Sequence, residues 1–346
     1  MKRFLVALIS LCFIPLCAYA TPTVFISTNL SGNASVKSAL ASQSLLLDIE
    51  KVSDDKVVAV GEYGHILTSS DGEQWQQANV PVQTTLTSVT FYNEQLGWAV
   101  GHDATILHTT DGGNNWQVQH FQPELEKPLL DVLFKSPLEG VAIGAYGLVL
   151  RTLDGGQSWQ NEFHQEFLSP DDKDYLNELK VEDETAYLDE ISYILPHFNR
   201  LVADGRTLFL LGEVGLLAKS NDFGLTWQRF DEIYRGSFFD LGRTKAGNLL
   251  VVGLRGNIFR GIQNGAQWQQ VTSGTTALLN DIVFGDNADM FILGNNGTVL
   301  MSLDDGENFS SRIQSDGKAL IAGVWFKNKL IAVSEVGVKT LKLPSK

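Results

Sequence analysis

Short apolar runs rich in Val, Ile, Leu and Ala punctuate the chain, separated by clusters of Gly, Asp, Asn and Ser. Runs of that length between such clusters predict strands and turns rather than helices. The pattern is also periodic. Gly144 to Trp159, GAYGLVLRTLDGGQSW, reads as a turn, a strand, a tight loop and the start of another strand, and it recurs along the chain. Residues 61–75 are GEYGHILTSSDGEQW, 101–116 are GHDATILHTTDGGNNW, 212–227 are GEVGLLAKSNDFGLTW, 253–268 are GLRGNIFRGIQNGAQW and 294–309 are GNNGTVLMSLDDGENF. A worn seventh copy, SEVGVKTLKL, begins at Ser334. The lead residues 61, 101, 144, 212, 253, 294 and 334 stand 40, 43, 68, 41, 41 and 40 apart. A strand-rich repeat of that period predicts an all-β, seven-bladed propeller over residues 21–346, one blade per repeat.

Each repeat holds four short runs, as in Leu86–Phe91, Gly97–Val100, Thr105–Thr109 and Trp116–His120. The seventh copy stops after its third run, and the early run Thr23–Ser27 is free to supply the fourth. Such closure hides the two edges an open array would expose. The one long spacing, 68 positions, holds an insert at about residues 165–196, between blades three and four. Ser169-Pro170-Asp171-Asp172 is a helix start, with a cap, a first-turn Pro and acids on the positive dipole end. Tyr175, Leu176 and Leu179, then Tyr187, Leu188, Ile191, Ile194 and Leu195, make apolar stripes at helical spacing, and Pro196 ends them. The insert therefore reads as a helical hairpin. From Glu166 to Glu190 it carries ten Asp/Glu and two Lys. It is either a solubilising cap packed on the ring or an acidic docking element, with Tyr175, Glu178, Tyr187 and Glu190 as its contacts. It is also expected to be removable (Leu168–Ile194) without loss of the fold.

Strands that run up and down place the second-to-third turns and the blade-to-blade connections on one face. That face displays Glu62, Tyr63, His102, Asp103, Tyr146, Glu213, Arg255, Asn295, Asn296 and Glu335 beside the insert, and is the candidate partner-binding surface. The opposite face carries the repeated Ser/Thr-x-Asp-x-Gly-x-x-Trp loop. There an Asp (Asp71, Asp111, Asp154, Asp222, Asp304) accepts backbone amides, Gly allows positive φ, and a Trp (Trp75, Trp116, Trp159, Trp227) packs between strands. Gln263 breaks the series in blade five. Repetition around the ring marks this loop as scaffold. Aligning the innermost strands gives a column of Asp48, Ser88, Asp131, Arg200, Asp240, Asp281 and Gly323 facing the axial channel. The column reads either as inter-blade hydrogen bonds with Arg200 paired to Asp131 or Asp240, or as a cation or ligand site.

These loops resemble the BNR/Asp-box repeat of sialidases, some endoglucanases, sortilin-type receptors and the photosystem II assembly/stability factors. GEYGHILTSSDGEQW, GHDATILHTTDGGNNW and GAYGLVLRTLDGGQSW are most similar to the last of these. The resemblance implies a propeller in the lumen or periplasm that binds a membrane protein during assembly, without catalysis and without a cofactor. The acidic insert and the lack of a concentrated Arg patch set this chain apart within it. The enzyme alternative is a glycosidase, which needs two carboxylates across a sugar cleft. Asp103 and Glu213 are the candidates. A sialidase would further need three converging arginines, whereas Arg200, Arg235 and Arg255 occupy unlike positions. The six histidines show no metal-ligand spacing, and His197 after Pro196 reads as a hinge or packing residue.

Charge and the leader narrow the setting. Lys2, Arg3, the apolar run Phe4–Cys17 and Ala18-Tyr19-Ala20 form a secretory signal peptide, cleaved after Ala20. Removing it takes the net charge from −14 to −16 and removes both cysteines, Cys12 and Cys17. Leu16 stands where a lipid-anchor motif needs a small residue. An acidic chain is a poor partner for nucleic acid and is repelled by anionic headgroups. The expectation is a periplasmic monomer that docks on a membrane protein or envelope complex, with neither nucleic acid nor lipid as a direct partner.

Overall fold

The computed structural model describes residues 33–286 and 289–342. The signal peptide and the Thr23–Ser27 run lie outside them. Seven antiparallel sheets follow in chain order, six of four strands and a last of three among the described residues. Each sheet is a meander, so consecutive strands pair and every blade is built from one continuous stretch. Blade 2, for example, consists of Leu86–Phe91, Gly97–Gly101, Ile106–Thr109 and Gln117–His120.

The second strand of each blade is the most apolar and the most buried. Val57 to Val60, Trp98 to Val100, Val141 to Ile143 and Leu249 to Val252 are almost fully shielded from solvent. Such strands are covered on both faces, which is why they read as unbroken apolar runs rather than as alternation. The core is accordingly divided. Each cluster takes side chains from two neighbouring blades, and one of them joins Leu46, Ile49 and Val57 of blade 1 to Phe326, Ile331 and Val333 of blade 7. The described residues thus close the ring through packing.

The insert is a hairpin of α1, Pro170–Glu182, and α2, Glu184–Ile191. Ser169 caps α1, accepting the Asp172 amide at 3.1 Å. Asp183 ends the first helix and starts the second, its carboxylate accepting the amides of Thr185 and Ala186. Phe167, Leu168, Leu176 and Leu195 are buried in one cluster with Val141 and Ile143 of blade 3 and Leu201 and Leu208 of blade 4. The insert therefore shares its core with two blades. Deleting 168–194 would remove Leu168 and Leu176 from that core and uncover Phe167 and Leu195, which sets a cost against the expectation that the segment is dispensable for folding. Leu188 and Tyr175, assigned to the apolar stripes, are exposed instead.

A β-bulge recurs on the inner strand of all seven blades, just before the channel-facing position. The extra residue turns the next side chain toward the following blade. In blade 7 the bulge falls between Leu320 and Ala322, so Ala322, not Gly323, occupies the column. The sequence alignment is off by one there because blade 7 has no polar residue at the column to mark the register.

Candidate interaction face

The second-to-third turns share one construction. The lead glycine passes so close to the incoming connection that a Cβ on Gly61 or Gly101 would sit 2.1 Å from the carbonyl of Leu45 or Thr85. The next residue donates its amide to that same carbonyl, as Glu62 does to Leu45 at 3.0 Å and Glu213 to His197 at 3.0 Å. The third residue adopts left-handed backbone: Tyr63, Asp103, Tyr146, Val214, Arg255 and Asn296 have φ of 53–58°. This conformation throws each tip outward, and Tyr63, Tyr146 and Val214 are 61%, 40% and 68% exposed. Asn tolerates it; a β-branched Val is strained by it.

The ten residues expected on this face do not form one patch. Glu62, Tyr63, His102 and Asp103 line a cavity of about 540 Å³ between blades 1 and 2. Tyr146 and Glu213 line another, of about 380 Å³, against the insert. Arg255 lines a third beside residues 270–276. Asn295 accepts from Asn280 at 3.1 Å, and Glu335 lies 3.4 Å from Lys318. The glutamates turn inward in part. Glu62, Glu213 and Glu335 accept the amides of Leu45, His197 and Ala319, so they brace the connections. Asp103 and Glu213 open into different cavities, and Arg200, Arg235 and Arg255 lie in the channel, on an exposed loop and at the third cavity. Neither a carboxylate pair nor an arginine triad of the glycosidase kind is assembled from them.

The groove against the insert brings in Tyr193 and Lys127, which the sequence did not single out, and His197, expected as a hinge or packing residue. Tyr193 packs edge-on to Tyr146 at 5.2 Å, and His197 meets the same ring at 4.6 Å. Buried Lys127 places its ammonium over Tyr193, 4.7 Å from the ring centre, and donates to the Ser192 carbonyl, pinning the end of α2. Val214, the tip of the turn that holds Glu213, forms the far lip. It occupies the slot of Tyr63 and Tyr146, the one signal that could have found it. On the hairpin, Tyr175 and Glu178 are exposed, while Tyr187 and Glu190 are half-buried, with Lys180 5.1 Å from the Tyr187 ring centre.

At the root of the insert lies a buried charged network. His164 sets Nδ1 3.0 Å from Glu166 and Nε2 3.5 Å from Glu162, and Glu162 accepts from Arg151 Nε at 2.7 Å. Arg151 also donates to the Phe223 carbonyl of blade 4 at 2.9 Å. Burial alone would lower the His164 pKa, but its hydrogen bonds and the two carboxylate charges raise it above the usual histidine range.

On the opposite side the Asp carboxylates accept only from their own loops. Asp154 accepts from the Thr152 hydroxyl and from Ser158 N–H and O–H. Asp111, Asp222 and Asp304 repeat this pattern, while Asp71 accepts the amides of Glu73 and Gln74 in a shorter loop. Trp116 and Trp159 are buried, and Trp75 and Trp227 are partly so. In blade 5, Gln263 and Asn264 take left-handed backbone and Arg243 holds Asn264 at 3.0 Å.

The channel column is an electrostatic hub. Arg200 lies 3.7 Å from Asp48, 3.8 Å from Asp131 and 3.9 Å from Asp240. Its side chain is 32% accessible. The carboxylates also reach into the following blade. Asp48 accepts the Val89 amide, Asp131 that of Leu201, Asp240 that of Ile282 and Asp281 that of Gly323, at 2.7–2.9 Å. Ser88 Oγ sits 2.9 Å from Asp48 and 2.8 Å from Asp131, although its single hydrogen serves one of them. Glu50, which the sequence reading missed, joins the ring. Burial and then the charge of Asp48 push its pKa up to about 8. Burial likewise lifts Asp131, Asp240 and Asp281, against the pull of Arg200. Among the described residues no group of His, Cys, Asp and Glu is set to hold a metal ion, and no helix is long and apolar enough to cross a membrane.

Comparison with known proteins places these features. The sequence model of the photosynthesis system II assembly factor YCF48 family matches residues 30–127 and 67–161. The photosystem II assembly protein Ycf48 of Synechococcus sp. (strain JA-3-3Ab) is 39% identical over 82 residues, 23% of this chain and 20% of that protein. The photosystem II assembly lipoprotein Ycf48 of Trichormus variabilis is 42% identical over 50 residues, 14% of this chain and 15% of that protein. The matches thus span about a fifth or less of these relatives. A solved structure of YCF48 bound to a D1 peptide superposes with a TM-score of 0.65 at 18% identity, covering 91% of this chain and 98% of that one. The chain is a propeller that resembles the photosystem II assembly factors. YCF48 from Cyanidioschyzon merolae superposes at 0.63 and 18% identity, over 86% of this chain and 95% of that one. Streptogramin B lyase superposes at 0.66 and 11% identity, over 88% and 95%, so the fold by itself does not assign an activity.

Proposed function

We propose that this protein is an exported, non-catalytic, monomeric assembly factor that binds a membrane protein or envelope complex through the turn face beside the insert. The observation that carries the reading is the face itself. Side chains stand on strained, outward backbone at the turn tips, next to an insert locked to the ring by Lys127 and by the His164 network. Tyr63, Tyr146 and Val214 at those tips are exposed apolar side chains available to a partner. The likeness to assembly factors, one of them solved with a peptide of D1, supports a protein partner. The naming of some relatives as lipoproteins and the apolar leader support export.

A photo-crosslinking residue at Tyr146 or Tyr63, and as a control at Leu153 on the opposite face, tests this in envelope extracts. One identified membrane protein captured from the turn positions and absent from position 153 is the expected outcome. Equal capture from both faces, or none, refutes the assignment. Cell fractionation checks export, and sedimentation checks the monomer.

A further inference from the structure

The groove between the insert and the turns of blades 3 and 4 has a definite chemistry. Its floor is apolar, formed by buried Phe167, Leu168, Leu195 and Leu216. Its lips are Tyr146, Tyr193 and Val214, exposed by 40%, 57% and 68%. At about 380 Å³ it has room for one large apolar side chain rather than a folded domain. The lips are the strained part, since Tyr146 and Val214 both hold left-handed backbone.

The surroundings are acidic. Asp172 lines the groove on the insert side and Glu213 on the ring side. The insert carries nine Asp and Glu between 171 and 190, Asp172 among them, against Lys173 and Lys180. None of those nine carboxylates forms an ion pair with Lys, Arg or His among the described residues. The positive end of α1 offers no anion site, because Ser169 and the Asp172 carboxylate already occupy it. Arg229, the one arginine at the groove, directs its guanidinium to the Phe167 carbonyl at 3.4 Å. His197 stands 3.7 Å from Glu213.

We infer that this groove takes a cationic segment of a partner protein, with one large apolar or aromatic side chain in the cavity and flanking Lys or Arg along Asp172, Glu213 and the insert. The inference rests on the proposed role as a protein-binding factor and names the chemistry of the segment. Apolar anchoring supplies residence and the acidic field supplies orientation and encounter rate. The complementary segment is basic, so an acidic tail is rejected by the same field.

The test uses the mature full-length chain and short fluorescein-labelled peptides followed by polarisation. One peptide has a central Phe flanked by Lys and Arg. A second replaces the basic residues with Glu and Asp, and a third replaces Phe with Gly. The first should bind and weaken as salt is raised; the other two should bind at least about tenfold more weakly. Asp172→Asn with Glu213→Gln should lower affinity for the first peptide about tenfold. Val214→Asn relieves the backbone strain and removes the apolar lip, so it should melt no lower than the parent and still bind less.

Equal binding of the Phe and Gly peptides, or unchanged affinity in Val214→Asn, reduces the interaction to surface charge and overturns the groove. Preference for the acidic peptide overturns the charge assignment. Peptide failure with capture from position 146 intact rejects the groove alone. Failure of both rejects the binding face itself.

Discussion

Replacing Arg200 with Met tests whether the channel ring is held by one cation. The guanidinium lies 3.7–3.9 Å from Asp48, Asp131 and Asp240. At an effective dielectric of about 20, a unit pair about 3.8 Å apart attracts by roughly 4 kcal/mol, most of it offset by desolvation. What measurement sees is the consequence of leaving the carboxylates unpaired. For a buried ionic cluster that is about 3–5 kcal/mol. With roughly 300 ordered residues and about 2 cal/mol/K of unfolding entropy per residue, the melting temperature should fall by about 5–8 °C near pH 8.

The pH dependence gives the sharper check. Asp131, Asp240 and Asp281 have raised folded pKa values, so the folded state binds more protons than the unfolded one above the ordinary carboxylate range. Stability therefore falls as pH rises through that window. Removing Arg200 raises these carboxylates further and steepens the fall, so the deficit at about pH 5 should be less than half that near pH 8. Paired urea and thermal melts of both proteins measure it, with Arg235→Met as a control, since that guanidinium is 87% exposed and should matter little. An equal deficit at both pH values, or none near pH 8, refutes the hub.

Two further outcomes follow from the same structure. Glu50→Gln removes a group whose folded pKa is pushed up to about 8, so the parent's loss of stability between about pH 4.5 and 8 should flatten by up to about 1.4 kcal/mol per pH unit. A variant less stable than the parent above pH 8 would contradict the burial of that carboxyl. His164 has a raised folded pKa, so its contribution is complete below its unfolded value and is lost as pH rises through the folded one. His164→Gln should therefore be destabilised by about 1.5–3 kcal/mol at about pH 6 and by much less above pH 9, read from urea melts, with proteolysis at the insert root as a second readout. Equal loss at both pH values would mean that the ring packs but does not pair.

What was legible in the sequence was what repeats. The Gly turns, the Asp loops and the inner-strand carboxylates recur at one period, so alignment of the copies located them before any coordinates. Glu50 was not legible because it stands alone at its level, where the other blades have Thr90, Leu133, Val202, Gly242, Val283 and Val324. The slip from Ala322 to Gly323 came from the small apolar residues of blade 7, where no polar side chain marks the column. The groove was half legible. Tyr146 and Glu213 lie on repeated turns, whereas Tyr193, His197 and Lys127 come from unrepeated connections that only packing brings together. His164, Glu162 and Arg151 escaped notice for the same reason, being drawn from a strand, its neighbour and the insert's root.

Apart from the ion pairs of Arg200, the hydrogen bonds from inner-strand side chains to the backbone of a neighbouring blade point one way. Asp48, Asp131, Asp240 and Asp281 each grip the blade that follows them in the chain, and Thr87, Asn199 and Asn280 donate to the next blade's carbonyls at Leu129, Phe238 and Leu320. A ring fastened in this sense can be assembled vectorially, each blade latched by its predecessor as it emerges. Among the described residues, the junction from blade 7 back to blade 1 presents Ala322 in the latch position and is held at that level by packing, with the Lys327–Asp55 and Lys329–Glu73 ion pairs crossing it elsewhere. It is the seam where the finished circle should breathe first, and hydrogen exchange should be fastest across it.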